Sequence, residues 1–252
     1  MTQEDERHER PEDPGRLVDE LAEGQRHPST AVVPRPAATL MLVRDGAHGI
    51  EVLAVRRAST MRFLPGYLAF PGGAVEPADD TPPAGVCFGQ VQGPALPRTA
   101  YAIAAVRECA EETGWVCAAV TPEGTGCVAL PSLQHDALLN HRITFWDVLK
   151  GLRAGIDLSR LRYVGRWITP AHQPVRFDTR FFVGLAADRM IPSAHAAEHD
   201  WVGWRPATDL LGALHRGEAQ AVRPTRAMLQ GIAACRSAEE AFNTLWVPGP
   251  TW

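Results

Sequence analysis

The segment TAYAIAAVRECAEET, Thr99–Thr113, constrains the fold most, because its apolar residues recur at helical spacing. Its apolar side comprises Ala102, Ile103, Val106, Cys109 and Ala110. The opposite side carries Arg107, Glu108, Glu111 and Glu112. Gly114 follows at the position where glycine commonly ends a helix. The pattern predicts a helix that packs on one side and gathers three carboxylates and one guanidinium on the other.

Short apolar runs on both sides of this helix predict a mixed α/β (α+β) domain. Predicted strands lie in ATLMLVRDG, IEVLAVRR, GYLAF, WVCAAV, GCVAL, LRYVGRWIT, RFFVGLAA and DWVGW. The Pro/Gly-rich residues at about 80–98 predict a loop insertion, and residues at about 132–156 predict a helical insertion. Residues 206–245 predict two or three helices, which either cover one side of the sheet or form a homodimer surface.

Composition bounds the class of protein. The 252 residues are 45% hydrophobic and 21% charged, as in globular proteins. The net charge of −4 comes from an acidic N-terminal segment, and residues 1–30 are predicted to be a disordered tail. The near-neutral remainder argues against a broad nucleic-acid-binding face. Because no run is long and apolar enough for a membrane span or a secretory signal, we expect a cytoplasmic protein without nucleic-acid or membrane partners.

The cysteines predict neither a disulfide framework nor a zinc site. Their number, five, is odd, and no two have C-x-x-C spacing. They are Cys87, Cys109, Cys117, Cys127 and Cys235. We expect them to be reduced and to serve as small core residues.

The acidic side of the helix permits two interpretations. It can be a solvated face, in which the i, i+4 pair of Arg107 and Glu111 adds a few tenths of a kcal/mol. However, Glu108 and Glu112 are like charges at the same spacing, and the last helical turn disfavours negative charge. A hard divalent cation such as Mg²⁺ or Mn²⁺ would offset this repulsion. The spacing alone leaves both interpretations open.

RECAEETGW, residues 107–115, resembles the second half of the Nudix box, R-E-U-x-E-E-x-G-U, in which U is bulky and apolar. GAVEPAD, residues 73–79, resembles the first half, G-x-x-x-x-x-E, with Asp79 in the place of glutamate. The spacer between the halves is longer than is usual in the family and coincides with the Pro/Gly-rich loop. An interrupted box of this kind is similar to the subgroup that includes the mammalian peroxisomal coenzyme A diphosphatase, as are RFDTRFF and EHDWVGW.

The resemblance spans about residues 37–205 and implies a Nudix-type α/β/α sandwich with a mixed central sheet. The implied domain occupies residues 31–205, and residues 206–252 form a helical extension packed on it.

LAVRRASTMRFLPGYLAFPGG, just before the box, resembles a second motif of coenzyme A-cleaving members, L-L-T-x-R-[SA]-x-x-x-R-x-x-x-G-x-x-x-F-P-G-G. Ala54 and Val55 depart from its Leu-Thr part, whereas Arg57 and Arg62 match it. Arginine suits bidentate phosphate contacts, and coenzyme A carries a diphosphate and a 3′-phosphate. The alternative is that these arginines are exposed or paired with carboxylates.

The resemblance implies hydrolysis of a diphosphate linkage with Mg²⁺ or Mn²⁺ as cofactor. The implied metal ligands are Glu108, Glu111, Glu112 and the backbone carbonyl of Gly72. The implied catalytic set is Arg107, Glu108, Glu111 and Glu198, with Arg107 orienting a neighbouring carboxylate and Glu108 or Glu198 as the general base. The implied substrate contacts are Arg57, Arg62 and Gly73, and Asp79 and Gly114 are structural. His195 and His199 flank Glu198 and are expected to be surface loop histidines.

Coenzyme A or an acyl-coenzyme A is the favoured substrate, with 3′-phosphoadenosine 5′-phosphate and (acyl-)phosphopantetheine as products. A second hypothesis keeps the chemistry but changes the nucleotide substrate to ADP-ribose, a dinucleotide or a nucleoside triphosphate. A third is a non-catalytic binding module, which the complete set of helix carboxylates disfavours.

Overall fold

Eleven strands and six α-helices form the part of the chain that the computed structural model describes, which is residues 32–61, 64–187, 189–193 and 198–250. The strands are β1 (Arg35–Gly46), β2 (Gly49–Arg57), β3 (Leu68–Ala69), β4 (Gly72–Ala74), β5 (Cys87–Phe88), β6 (Trp115–Thr121), β7 (Gly124–Ala129), β8 (Gly155–Asp157), β9 (Leu161–Ile168), β10 (Phe177–Leu185) and β11 (His199–Pro206). The helices are α1 (Thr99–Thr113), α2 (Ser132–Leu139), α3 (Phe145–Gly151), α4 (Ala207–His215), α5 (Arg223–Ala233) and α6 (Ala238–Thr244). The predicted tail at residues 1–30, Arg62 and His195 lie outside the described residues.

The strands form two sheets. The larger sheet has the strand order β11-β2-β1-β10-β9, with β3 and β4 pairing beside β2 and β1. It is mixed, because β1 runs parallel to β10 while its pairings with β2 and β4 are antiparallel. The smaller sheet has the order β5-β8-β6-β7. The mixed central sheet predicted from the sequence is therefore confirmed.

Alternation along the central strands divides the core between the two faces of the larger sheet. Leu40 and Leu42 of β1 pack in one buried cluster with Val106 of α1. Met41 and Val43 pack in a second cluster, which also contains residues of all three C-terminal helices. Helix α1 also packs against β6 and thus lies between the two sheets. The C-terminal helices cover the second face of the larger sheet, whereas the division of the chain into a domain and an extension remains a prediction.

The predicted helix over residues 99–113 is confirmed at both ends. Gly114 ends it with a φ of 74°, in the left-handed region that favours glycine. The buried apolar side is also confirmed, because Ala102, Val106 and Cys109 are fully buried.

Two predicted segments differ in detail from the structure. The loop at residues 80–98 contains the short strand β5, which pairs in parallel with β8, a long-range contact that leaves no periodic signal. The helical insertion divides into α2 and α3, because Thr144 begins a new helix with a capping box to Asp147. No helix in the described part of the chain is long and apolar enough to cross a membrane. The five cysteines are free thiols, as predicted. Only Cys109 and Cys117 are buried core residues, and the prediction of a core position is wrong for the partly exposed Cys87, Cys127 and Cys235.

Candidate active site on the acidic helix

The guanidinium of Arg107 is the centre of a buried polar cluster, and the residue is only 5% exposed. Its Nε and Nη2 donate to the two carboxylate oxygens of Asp79 at 3.0 and 3.1 Å. Its Nη1 donates to Glu108 at 3.0 Å and to Glu111 at 3.1 Å, and Nη2 also donates to the carbonyl of Ala74 at 2.8 Å. One cation therefore joins the segment after β4 to two carboxylates of α1.

Asp79 occupies its place in this cluster despite the long insertion that follows it. It is 1% exposed and lies in a 3₁₀ turn, Pro77–Asp80, where its Oδ2 accepts a hydrogen bond from the backbone of Glu76 at 2.8 Å. Asp80 pairs with Arg98, the residue just before α1. This ion pair closes the base of the inserted loop. The insertion therefore leaves from and returns to one point without displacing Asp79.

Glu112 is also on the acidic face of α1 and is buried, but partners other than Arg107 hold its carboxylate. Its Oε2 accepts a hydrogen bond from the backbone N–H of Gly72 at 3.3 Å, and its Oε1 is 3.7 Å from Nε2 of His199. Glu112, Glu198 and His199 each offer one potential ligand atom, and these atoms all lie within 4.8 Å of one another. The structure thus places Glu198, the candidate general base downstream of the helix, next to Glu112 of α1.

The prediction that His199 is a surface loop histidine is wrong. His199 begins β11 and is 3% exposed. The reason is a β-bulge, because His199 pairs with Arg57 and Trp201 pairs with Arg56, so that Asp200 is an extra residue. The bulge reverses the alternation and turns His199 toward α1. The sequence holds no signal for this bulge, although the position of His199 next to the candidate base Glu198 could have suggested a place in the site.

Burial dominates the electrostatics of the three helix carboxylates. It raises the pKa of Glu108 to about 7, although the nearby Arg107 acts in the opposite direction. Burial likewise raises the pKa of Glu111. The pKa of Glu112 is raised well above its usual value by burial and by the charges of Glu108 and Glu198. Negative charge is therefore costly at this face, and a bound cation would relieve that cost.

The donor chemistry fits a hard or borderline divalent cation. Carboxylate oxygens with one imidazole nitrogen suit Mn²⁺, and the carboxylates alone suit Mg²⁺. Arg107 and Glu112 are buried, so the alternative of a simply solvated charged face does not describe this helix.

Two glycines let β4 lie directly against both its strand partner and the helix carboxylates. A Cβ on Gly73 would be 2.5 Å from the carboxyl carbon of Glu108. A Cβ on Gly72 would be 2.5 Å from the backbone oxygen of Ala38 in β1. The predicted substrate contact Gly73 therefore lies beside Glu108, and Gly72 lies beside Glu112.

Arg57 lies at the same end of the sheet. Directly paired residues of antiparallel strands point to one face, so Arg57 points to the same face of the sheet as His199, which contacts Glu112. The backbone N–H of Ala58 also donates to the carbonyl of Glu198 at 2.8 Å, which ties the end of β2 to the segment before β11.

Comparison with known proteins places this arrangement in a family. A crystal structure of a NUDIX hydrolase from Alicyclobacillus acidocaldarius is 44% identical, with a TM-score of 0.78, and the match covers 88% of this chain and 100% of that one. Putative nudix hydrolase 7 of Caenorhabditis elegans is 28% identical over 185 residues, which are 69% of this chain and 53% of that protein. This chain therefore spans about half the length of that curated relative. No protein-family model matches the chain.

The solved structure confirms the expected Nudix-type α/β fold. Its match extends over its whole length at an identity high enough to indicate common descent and not only a shared fold. The chain belongs to the Nudix hydrolase family.

Proposed function

We propose that this chain is a metal-dependent hydrolase that cleaves the diphosphate linkage of coenzyme A or an acyl-coenzyme A. The products are 3′-phosphoadenosine 5′-phosphate and phosphopantetheine or its acyl form. The observation that carries the proposal is the buried cluster in which Arg107 and the backbone of β4 hold Glu108, Glu111 and Glu112 on one helix face. A helix face of this kind suits the binding of cations that accompany phosphates.

The proposed metal ligands are the three helix carboxylates and the backbone carbonyl of Gly72, and Glu198 and His199 add two donors near Glu112. When bound, Mg²⁺ or Mn²⁺ would neutralise charge on the phosphates and lower the pKa of a water molecule. The role of Arg107 is positioning. Its bidentate contact with Asp79 fixes the guanidinium, which in turn fixes the carboxylates of Glu108 and Glu111.

A carboxylate would accept the proton of the attacking water. Glu108 has a pKa of about 7, which suits proton transfer near neutral pH. Glu198 is exposed and lies beside Glu112, so it is open to solvent and substrate. If Glu198 is the base, Glu198→Gln lowers kcat while manganese binding, followed by electron paramagnetic resonance, is retained. Loss of manganese binding together with kcat would instead make Glu198 a ligand.

Coenzyme A is the proposed substrate because Arg57 matches the motif of coenzyme A-cleaving members and pairs with His199, which lies 3.7 Å from Glu112. A guanidinium there is suited to a bidentate contact with a phosphate group of a substrate held at α1. Arg62 belongs to the same motif and is a second proposed contact.

A substrate panel tests this function. The full chain, with Mg²⁺ and separately with Mn²⁺, is incubated with coenzyme A, dephospho-coenzyme A, ADP-ribose and NADH, and products are separated by chromatography. We expect kcat/KM for coenzyme A to exceed that for ADP-ribose and NADH by about tenfold or more. Faster turnover of dephospho-coenzyme A would contradict a role for the 3′-phosphate. Faster turnover of ADP-ribose or NADH than of coenzyme A would contradict coenzyme A as the substrate and favour the faster compound. Manganese binding without turnover of any diphosphate would indicate a binding module.

A charge-neutral variant tests the metal site. Glu111→Gln should lower the metal-dependent kcat by about 10²-fold or more while the circular dichroism spectrum is kept. Glu239→Gln, on the exposed side of α6, is the matched control and should leave kcat unchanged. Equal activity of the two variants would show that Glu111 does not contribute to the metal site.

A further inference from the structure

Two cysteines on neighbouring strands of the smaller sheet are in direct contact. Cys117 lies on β6 and Cys127 on β7, and their Sγ atoms are 2.9 Å apart. An S–S bond is about 2.05 Å long. Facing residues of antiparallel strands have Cα atoms about 4.5–5.5 Å apart, which is within the range that disulfides span. A small movement of the side chains would therefore join the two sulfurs.

The contact is produced by a β-bulge. Val116 pairs with Val128 and Ala119 pairs with Gly126, so that Cys117 and Ala118 together face Cys127. Ala118 has a φ of 55°, a left-handed conformation that is unfavourable for any residue with a Cβ. Strained backbone conformations of this kind persist where surrounding structure imposes them, and they cluster at functional sites. The bulge keeps this strain while it holds Cys117 against Cys127.

The two thiols differ in environment. Cys117 is 1% exposed, and burial raises its pKa. Cys127 is partly exposed, and hydrogen bonding to Cys117 lowers its pKa, with the charge of Arg160 acting in the same direction. By contrast, burial raises the pKa of Cys87 to about 11. Cys127 is thus suited to react as a thiolate, with Cys117 positioned to resolve the product.

Space for a small oxidant adjoins Cys117 and also Gly126, the residue before Cys127 on β7. A cavity of about 160 Å³ is lined by Cys117, Ala118 and Arg160, among others. The guanidinium of Arg160 donates to Oγ1 of Thr125, two residues before Cys127 on β7. A positive charge therefore lies beside both the cavity and the strand that carries the more reactive thiol.

We propose that Cys117 and Cys127 form a redox-sensitive pair that hydrogen peroxide converts to an intramolecular disulfide. The Cys127 thiolate attacks one peroxide oxygen, the O–O bond breaks, and the leaving hydroxide takes a proton to become water. The resulting sulfenic acid is then attacked by the Cys117 sulfur, which forms the S–S bond and expels a second water. One peroxide is reduced by two electrons, and two thiols become one disulfide. A small dithiol reverses the reaction by thiol–disulfide exchange.

Thiol counting and peptide mapping test the pair. The reduced full chain is treated with one equivalent of hydrogen peroxide, quenched, and titrated for thiols after denaturation. We expect two of the five thiols to be lost and one linked peptide pair to contain Cys117 and Cys127, with full recovery after dithiothreitol. Retention of all five thiols would overturn the proposal. So would a disulfide between Cys109 and Cys117, or oxidation of Cys127 to a sulfinic acid without a link.

Variants separate the roles of the two thiols. Cys127→Ser should lose no thiol at the same peroxide dose, whereas Cys117→Ser should carry a sulfenic acid at Cys127 that dimedone traps. Cys235→Ser is the matched control, since Cys235 is also partly buried but lies after α5, and it should still lose two thiols. Because Cys117 is buried, circular dichroism checks the fold of each variant. The partly exposed Cys127→Ser keeps the test valid, and loss of two thiols in this variant would contradict the proposal.

Discussion

At the scale of single residues, the buried pair of Arg107 and Asp79 is the contact on which the helix carboxylates depend. Removing one partner of a buried ion pair leaves the other charge without compensation. Asp79 is 1% exposed, so Arg107→Met would leave its carboxylate buried without a positive charge beside it. We expect this variant to lower the free energy of unfolding by about 3–5 kcal/mol, measured by urea denaturation in the presence of a chelator.

An exposed arginine provides the control for this prediction. Arg153 pairs with Glu123 at 3.2 Å, and both side chains are largely exposed. Exposed pairs of this kind contribute about 0–1 kcal/mol, so Arg153→Met should change the free energy of unfolding little. Adding Asp79→Asn to Arg107→Met should recover part of the lost stability, because it removes the buried, unpaired negative charge of Asp79. If Arg107→Met unfolds at the same urea concentration as Arg153→Met, the pair is not a buried anchor.

Two adjacent arginines at the end of β2 allow a sharp test of the substrate contact. Successive side chains of a strand point to opposite faces, so Arg57 faces the side of α1 and Arg56 faces the other side. We expect Arg57→Ala to raise KM for coenzyme A by about tenfold, the typical effect of losing a charge-assisted hydrogen bond, with a smaller change in kcat. Arg56→Ala should leave both constants near those of the wild type. Equal KM values for the two variants would remove Arg57 from the substrate site.

At the scale of elements, the two glycines of β4 should respond differently to the same substitution. In Gly73→Ala, the new Cβ meets the carboxylate of Glu108, the end of a flexible side chain that can move away. In Gly72→Ala, the new Cβ meets backbone atoms of Ala38 and Thr39, which cannot move without parting β4 from β1. We therefore expect Gly73→Ala to lower kcat and largely keep the thermal midpoint, and Gly72→Ala to lower the midpoint by several degrees.

Activity assays and thermal scans of both variants check this contrast. The result that would refute it is a Gly73→Ala variant with full activity, since Glu108 would then not need its observed position. Gly49→Ala is not a suitable control, because the φ of Gly49 is 107°, a conformation that alanine rarely adopts. Ala74→Gly is the better control, since Ala74 is in the same strand and the substitution removes only an exposed methyl group.

The elements also show what the sequence could and could not predict. Helix α1 was predictable because its apolar period and Gly114 are local signals. The resemblance implied a structural role for Asp79, but its contact with Arg107 was not predicted, because a long loop separates the two residues and leaves no local signal. The buried position of His199 and the pairing of Cys117 with Cys127 were not predictable. Both depend on β-bulges, and one extra residue in a strand reverses the facing of every residue beyond it.

At the scale of the whole molecule, the position of α1 between two sheets explains the electrostatics of its acidic face. The packing that buries the apolar side of α1 also removes its carboxylates from water. Folding therefore works against ionisation of these groups, and metal binding works in favour of it, since a ligand carboxylate must be deprotonated. Stability, pH and divalent cations should be linked in this protein.

The linkage has a definite sign. The pKa of Glu108 rises from 4.5 to about 7 on folding, so between these values the folded state holds a proton that the unfolded state has released. The free energy of unfolding of the metal-free protein should therefore fall as the pH rises through this window. Glu108→Gln removes the titrating group, so its thermal midpoint should fall less than that of the wild type between about pH 5 and about pH 8.

For the wild type, bound manganese should offset the loss of stability that occurs as the pH rises. We expect added Mn²⁺ to raise the thermal midpoint more at about pH 8 than at about pH 5, because protons compete with the cation for the same carboxylates. The increase should be smaller in Glu108→Gln and in Glu112→Gln than in Glu239→Gln, whose substituted side chain is exposed on α6. Differential scanning fluorimetry with chelated and manganese-loaded samples measures all of these shifts. An equal increase at both pH values, or an equal increase in all three variants, would mean that the cation binds somewhere other than the buried face of α1.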